Sequence, residues 1–495
     1  MKKLIACGLF FFLVGALSST AHSQKLDFKA SGFIDTHSFL YQNIPSAADP
    51  IYGGVCNDFL PGGGAFDRSA SYMNTRARLK FDAIMAKELS GTIFFEMDST
   101  RWGETGDGRN RMGVWSGDRA ALEIKNVYID FGIPHIGIPV PITARVGLQP
   151  LGVRPDFAIS TDGMGITLGA KIEPVNASLQ WAKAIEGKDA SSDDVDVYGL
   201  HLYARLDKIT IGGYSFYYNM NTYPLNAVTT TYGSSPTHQA DMWWWGTYAV
   251  GKAGPMDINF DFLYDRGEVK KKAGAPAPDV KYRGWASRLK VNYPWENFNF
   301  GAVVLYASGA DQRKTSSTGL PGTTTPFGTV TSKVNSIVLP PGSEAGVIFY
   351  DGLGVFYGHA LTSREPSFIF TDYNRVHRRP IGGTWMAKVY GSYKVSPWYN
   401  ITLAAAYIGD TTEHGNTRGT ARKAPFGASN LRDDSTIGVE VGVTNEFNIY
   451  KNLYLSVILG YLFPGDALEY FDAARRRNVK PDDPWSLATA MVYRF

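Results

Sequence analysis

The segment Pro484-Trp485-Ser486-Leu487-Ala488-Thr489-Ala490-Met491-Val492-Tyr493-Arg494-Phe495 decides the fold. Leu487, Thr489, Met491, Tyr493 and Phe495 share one face of an extended chain; Ser486, Ala488, Ala490 and Arg494 share the other. The period of two is that of a strand. One greasy face, one small or polar face and a terminal aromatic ring fit either the last strand of a soluble sandwich or the closing strand of a barrel in lipid. A bilayer tolerates a sheet only if the sheet closes, because an open edge would leave backbone N–H and C=O groups unpaired in hydrocarbon.

Working outward, the same alternation recurs almost from end to end. Thr75, Ala77, Leu79, Phe81 and Ala83 oppose Asn74, Arg76, Arg78, Lys80 and Asp82; Ile93, Phe95 and Met97 oppose Thr92, Phe94, Glu96 and Asp98. Val127, Ile129 and Phe131 oppose Asn126, Tyr128 and Asp130, and Val146 and Leu148 oppose Arg145, Gly147 and Gln149. Leu200, Leu202 and Leu206 oppose His201, Tyr203 and Arg205. Further on, Leu289, Val291 and Tyr293 oppose Arg288, Lys290 and Asn292. Lys388 and Glu440 fall on the polar sides of two later strands. Two stretches, Lys208 to Met220 and Met242 to Val250, are weakly patterned and are placed partly by spacing.

Two features favour the barrel. Charges occupy successive inward positions, as a wet lumen allows. Connections also alternate between short turns, such as Glu173 to Val175 and Pro294 to Glu296, and long loops, such as Pro45 to Ser69 and Gln312 to Gly382. The expectation is an all-β transmembrane antiparallel barrel of about 18 strands with both termini periplasmic. Trp398, Tyr399, Tyr450, Tyr293 and Trp295 fall at the proposed periplasmic turns, where amphipathic rings favour the membrane interface.

The N-terminus reads as an export signal: Lys2 and Lys3, an apolar run from Leu4 to Leu17, and a small-x-small site at Ala21-His22-Ser23, with cleavage after Ala21 as the close alternative. The expected organisation is a signal peptide over 1–23 and a single barrel domain over 24–495. Cys7 lies near the start of the apolar run rather than after it, which excludes lipidation there. Losing Lys2 and Lys3 takes the formal charge from +3 to +1, so nothing points to nucleic acid. Cys56 is then the lone cysteine and gives no internal disulfide. No other apolar run approaches the roughly 20 residues of a membrane-spanning helix.

Strand number sets the bore: about 16–18 strands leave an aqueous channel unless a loop folds in. The pore-lining candidates are Arg76, Arg78, Lys80, Asp82, Glu96, Asp98, Asp130, Arg145, Gln149, Arg205, Arg288, Lys290, Lys388 and Glu440. The signs nearly balance, so charge alone gives no strong selectivity. Arg76, Arg78 and Lys80 form either a basic ladder for anions or one side of wall ion pairs with Glu96 and Asp98. The connection Gln312 to Gly382 is far beyond ordinary loop length. Its apolar runs Val347-Ile348-Phe349-Tyr350 and Val355-Phe356-Tyr357 fit a segment folded into the pore, or one covering the rim. Asp193, Asp194 and Asp196 read as a Ca²⁺ loop or a solvated acidic turn. No catalytic set, metal site, haem motif or phosphate-cradling glycine loop is evident, so no cofactor is expected.

The chain resembles the alginate-export-like outer-membrane porins of Gram-negative bacteria. The likeness rests on Arg78-Leu79-Lys80-Phe81, Asn126 to Phe131 followed by Arg145 to Gln149, Tyr306-Ala307-Ser308-Gly309, Phe463 to Ala467 and the terminal Tyr493-Arg494-Phe495. The resemblance implies a monomeric 18-stranded barrel whose electropositive constriction passes an anionic polysaccharide, with Arg76, Arg78, Arg145 and Arg288 as candidate contacts. The chain departs from it in carrying substantial lumen acid and no arginine cluster. The functional expectation is therefore a passive channel for small hydrophilic solutes or ions. The alternatives are polysaccharide export and a sheath around surface electron-transfer proteins. Expected partners are outer-membrane lipid and the barrel-assembly machinery, which would read Tyr493 and Phe495 as an insertion signal.

Overall fold

In the computed structural model, residues 26–44, 68–103, 111–113, 115, 120–134, 137, 140–187, 192–223, 237–316, 318–343, 353–356, 381–417 and 420–495 are described. The signal segment 1–23 and Cys56 lie outside them. Eighteen long strands make the wall. They are β1 (Asp27–Ile44), β2 (Arg68–Ala86), β3 (Leu89–Trp102), β4 (Glu123–Gly132), β5 (Ile142–Val153) and β6 (Ile159–Ile172). Then follow β7 (Val175–Ile185), β8 (Val195–Leu206), β9 (Ile209–Tyr223), β10 (His238–Ala253), β11 (Met256–Lys271) and β12 (Trp285–Trp295). The last are β13 (Phe298–Ala307), β14 (Thr384–Ser396), β15 (Tyr399–Asp410), β16 (Thr436–Tyr450), β17 (Leu453–Pro464) and β18 (Trp485–Arg494).

Each strand pairs antiparallel with the next, and β18 pairs with β1 from Trp485↔Gln42 to Arg494↔Phe33, so the sheet has no free edge. Phe495 extends this seam: Gly32 N–H donates to the Phe495 carbonyl at 2.9 Å, and Phe495 N–H donates to the Gly32 carbonyl at 3.1 Å. A side chain at Gly32 would run into the Phe495 ring and the Arg78 carbonyl, so the glycine makes room for the closing residue. The expected 18-stranded closed barrel is what the register gives. Strands of 10–19 residues meet or exceed the 9–11 needed to cross a bilayer at a tilt.

The two mouths differ. At the mouth where β1 begins and β18 ends, seven of the eight connections, 87–88, 173–174, 207–208, 254–255, 296–297, 397–398 and 451–452, are two residues each, and the eighth, 133–141, has nine. The opposite mouth carries the long connections, with one exception: residues 154–158 join β5 to β6 in a tight turn.

The outward face is apolar along its middle, where Ile129, Leu179, Val304, Val389, Leu403 and Leu459 are exposed. Aromatic rings border this band. Towards the short turns are Tyr293, Trp295, Phe298, Trp398 and Tyr450; towards the long loops, Tyr217, Trp243, Trp245 and Tyr264 form a stacked row with centroids 4.6–5.9 Å apart. An apolar band between aromatic girdles is the surface that lipid selects. The described residues include no helix long and apolar enough to cross a membrane; the strands do the crossing.

Candidate pore and its constriction

The inward faces divide into two sectors. Along β1 to β6 they carry charge. Arg78 Nε lies 2.5 Å and Arg76 Nε 3.5 Å from Glu96 Oε1, and Lys125 Nζ bridges Glu96 (3.2 Å) and Asp162 (2.8 Å). Lys80 pairs with Asp82 at 2.9 Å, and Thr92 donates to the same carboxylate at 2.6 Å. One level nearer the short turns, Arg145 grips Asp130 through Nε (2.7 Å) and Nη2 (3.0 Å) while stacking over Tyr128. The basic residues on this wall are thus tied as ion pairs with neighbouring acids. They remain wet, since the Arg76, Arg78 and Arg145 side chains keep 31%, 21% and 34% of their exposure.

Lys125 was not legible as an inward residue, because Asn126, Tyr128 and Asp130 define that face. A register shift between Phe94 and Phe95 at the β3–β4 pairing turns it in as well. A lysine interrupting an alternating strand was the one available signal.

Along β8 to β14 the inward faces are largely apolar and aromatic, with Asp261, Asp265, Arg288 and Lys388 buried among them, and chain from the long-loop mouth packs against them. Ile337, Leu353, Val355, Phe356 and Ile381 are buried, as are Phe216, Tyr218, Met220, Trp244 and Leu263 on the wall. Polar ties fix the path. Val338 N–H donates to Asp265 Oδ2 at 2.8 Å, Trp244 Nε1 to the Val338 carbonyl at 2.7 Å, and Ser160 N–H to Ser343 Oγ at 3.1 Å. The segment therefore runs from the β10–β11 wall to the β5–β6 end. Its continuation at 353–356 lies against β16 and β18. Glu440 accepts the N–H groups of Gly354, Val355 and Phe356, each at 2.8 Å, and Ser486 Oγ donates to the Gly354 carbonyl at 3.0 Å. Three convergent amides form a nest for one carboxylate.

Below this crossing, the 154–158 turn reaches the opposite wall. Arg154, at positive φ (52°), donates through Nε (2.5 Å) and Nη2 (2.9 Å) to Asp261 of β11 and also bonds Asn259. Arg288 of β12 donates through Nη2 at 2.6 Å both to the same Asp261 and to Asp156 of the turn, with its guanidinium 5.1 Å from the Phe157 ring centroid. Asp261 and Phe157 are fully buried. Two cations and two anions from three elements thus close a latch across the bore.

The candidates distribute accordingly. Arg76, Arg78, Lys80, Asp82, Asp130 and Arg145 face the wet sector, as does Glu96 at its base. Arg288, Lys388 and Glu440 point inward but are buried (5%, 2% and 0% exposed), because chain folded into the lumen covers them. Gln149 is likewise buried, donating to the Gly165 carbonyl at 2.7 Å and accepting from Thr167 at 2.8 Å, so it acts as wall. Arg205 extends over Tyr203 near the short-turn mouth, and Lys290 lies 5.7 Å from the Tyr390 ring centroid. The Asp98 side chain lies outside the described residues, as do Val347 to Tyr350 and Tyr357 of the long connection. Arg154 and Asp156 were missed because their five-residue connection reads as an ordinary turn.

At the short-turn mouth the lumen widens into two adjoining cavities of about 590 and 570 Å³ that share Lys290 and Asn292. Away from the strands, Asp311, Glu413 and His414 meet at the long-loop mouth, with Asp311 Oδ1 3.0 Å from His414 Nδ1 and Oδ2 2.7 Å from Lys314 Nζ. Burial pushes the Asp311 carboxyl up, but Lys314, the Arg313 N–H and His414 together hold it below its ordinary range.

No protein-family model matches the sequence, the alginate-export-like one included, and no curated protein matches it significantly. Among solved structures the chain is similar to Acinetobacter baumannii OccAB4, at 12% identity and TM-score 0.47 over 95% of this chain and 98% of that one. It is also similar to Pseudomonas aeruginosa OccK8 (OprE), at 9% and 0.49 over 95% and 98%. A third likeness is to a BenF-like porin from Pseudomonas fluorescens Pf-5, at 9% and 0.47 over 95% and 98%. The eighteen-stranded closure rests on this chain's own hydrogen-bond register.

Proposed function

We propose that this protein is an outer-membrane porin, a passive aqueous channel for small hydrophilic solutes or ions. One observation carries the reading. A closed barrel with a lipid-type outer band keeps a charged inner sector that is still wet beside the chain folded into its lumen. Water excluded from the other half of the bore leaves a path for small solutes along β1 to β6 and out through the short-turn cavities. On this reading the short-turn mouth faces the periplasm and the long loops face outward.

Export of an acidic polysaccharide is less well supported. A polyanion needs uncompensated cations along an unobstructed bore, whereas Arg76, Arg78, Lys125 and Arg145 are paired with acids and residues 337–343 and 353–356 fold into the lumen. A sheath for a redox protein needs an open bore, and the chain folded against β6, β9, β10, β11, β16 and β18 narrows it. Assembly into the membrane would use the barrel-assembly machinery acting on the β18 end.

Planar-bilayer recording of the purified protein tests the reading. Discrete channel currents are expected, with a reversal potential in asymmetric salt close to that of a weakly selective pore. Absence of any current from correctly assembled, heat-modifiable barrels would refute it.

A further inference from the structure

The wall of the larger short-turn cavity has a composition that the charged sector lacks. Cross-strand register puts Asn299 opposite Ser392, Ser392 opposite Thr402, and Thr402 opposite Thr444. All four face inward on consecutive strands β13 to β16, so they form a continuous row that slants with the strand tilt. The next level towards the mouth places Asn400 opposite Glu446 and Glu446 opposite Ser456. Amides and hydroxyls therefore recur at the inter-strand spacing of about 4.8 Å, with Ser392 and Thr402 bonded to each other at 2.7 Å and the two threonines largely recessed in the wall.

The charges around this belt cancel. The cavity lining holds Lys290 and Lys394 against Glu296 and Glu446, two of each sign. Glu446 is engaged by Asn400 Nδ2 at 2.9 Å. The lining therefore carries no net charge, and nothing in its balance favours an anion over a cation. A neutral molecule with many hydroxyls matches the belt, exchanging its water hydrogen bonds for amide and hydroxyl ones. The volume, about 590 Å³, lies within the 300–1,000 Å³ range of small-molecule sites.

We infer that this belt is a subsite for neutral polyhydroxylated solutes, of the size of a six-carbon polyol or a small sugar, on the way through the pore. The inference rests on the channel reading and names a substrate class for it. Such a site must be weak, since conduction requires release. Sitting just below the latch, it would rehydrate a solute that has passed the narrow region.

The test compares sorbitol with gluconate, a neutral and an anionic six-carbon chain of similar size. Each is titrated into the bath during multichannel salt-current recording, normalised to the current of the same preparation. The wild-type chain is expected to show saturable inhibition by sorbitol, beyond the linear loss due to bulk viscosity, and weaker inhibition by gluconate. The variant Ser392→Ala/Thr402→Val removes both partners of a 2.7 Å hydrogen bond and so leaves no orphaned group behind, which keeps the barrel foldable. It should raise the half-inhibiting sorbitol concentration about tenfold, the loss of roughly two neutral hydrogen bonds. Sorbitol inhibition that is only linear, or equal in the double variant, would overturn the subsite while leaving the channel intact. Stronger inhibition by gluconate would overturn it in favour of an anion-selecting wall. Absence of salt current would overturn the channel reading itself, and with it the subsite.

Discussion

Replacing Arg154 by Met releases the latch without unfolding the barrel. Asp261 is fully buried and holds two guanidiniums, so removing it would leave Arg154 and Arg288 crowded together, at a cost of about 3–5 kcal/mol for uncompensated buried charge. Removing Arg154 is gentler. Asp261 keeps both its bonds to Arg288, at 2.6 and 3.2 Å, and Met fills much of the lost volume. What disappears is the tie between the 154–158 turn and β11: two bonds to Asp261 and one to Asn259. Hydrogen bonds to charged groups contribute about 1.5–3 kcal/mol each, and Arg154 retains 15% exposure, so roughly 3 kcal/mol for the set is a discounted figure. At 1.4 kcal/mol per factor of ten, the released turn gains about 100-fold in population relative to the latched one. Asp156–Arg288 and the buried Phe157 still hold the turn, so release is intermittent rather than complete. Single-channel recording should then show a higher conductance level in Arg154→Met, visited about 100-fold more often than in the parent. Identical levels with occupancies within about twofold, in a variant that remains heat-modifiable, would refute the idea that ion pairs hold the constriction.

Three further outcomes follow from the same geometry. Glu440→Ala leaves three buried N–H groups unpaired at about 1–3 kcal/mol each, so residues 353–356 should leave the wall; chymotrypsin should then cut after Phe356, which is fully buried in the parent, and conductance should rise. Asp311 has its folded pKa held below the ordinary 3.8, so the stability that it contributes is fully present above that value and lost as pH falls through the lower folded value; amide exchange at Arg313 and Lys314 in the long-loop mouth should accelerate there relative to Asp311→Asn, which should be loosened already at pH 7. Deleting Phe495 removes both seam bonds to Gly32, and the yield of heat-modifiable barrel should fall; a normal yield would show that β18 closes without it.

The wall was legible because its physics is local. A strand between lipid and water must alternate, so Ile129 and Asp130, or Leu79 and Lys80, declare their faces with no knowledge of their neighbours. The charged sector followed from the same rule. What was hidden depends on chain distant in sequence. Whether an inward charge is wet or buried depends on where residues 337–343 and 353–356 go, and nothing beside Lys388 or Glu440 states that. The latch was hidden for a related reason: Arg154 and Asp261 lie 107 positions apart and meet only because a short turn points inward. Lys125 was hidden by a shift of one residue in pairing.

The two weakly patterned stretches carried more information than their weakness suggested. Lys208 to Met220 and Met242 to Val250 fall on β9 and β10, and their inward residues are Tyr214, Phe216, Tyr218, Met220, Met242, Trp244 and Tyr248, all buried. Alternation fades there because both faces are apolar, one against lipid and the other against chain folded into the lumen. A wall facing water could not keep such an inner face, since each large ring exposes 150–250 Å² and its burial is worth several kcal/mol at about 25 cal/mol per Å². Loss of alternation within an otherwise alternating barrel therefore marks the strands against which a loop must pack. The long connection supplies the matching apolar side chains, Ile337, Val355 and Phe356 among them. The charged strands β1 to β6, which no apolar segment covers in this way, then line the part of the bore that stays wet, and on the channel reading a solute is confined to that side until it reaches the amide and hydroxyl belt.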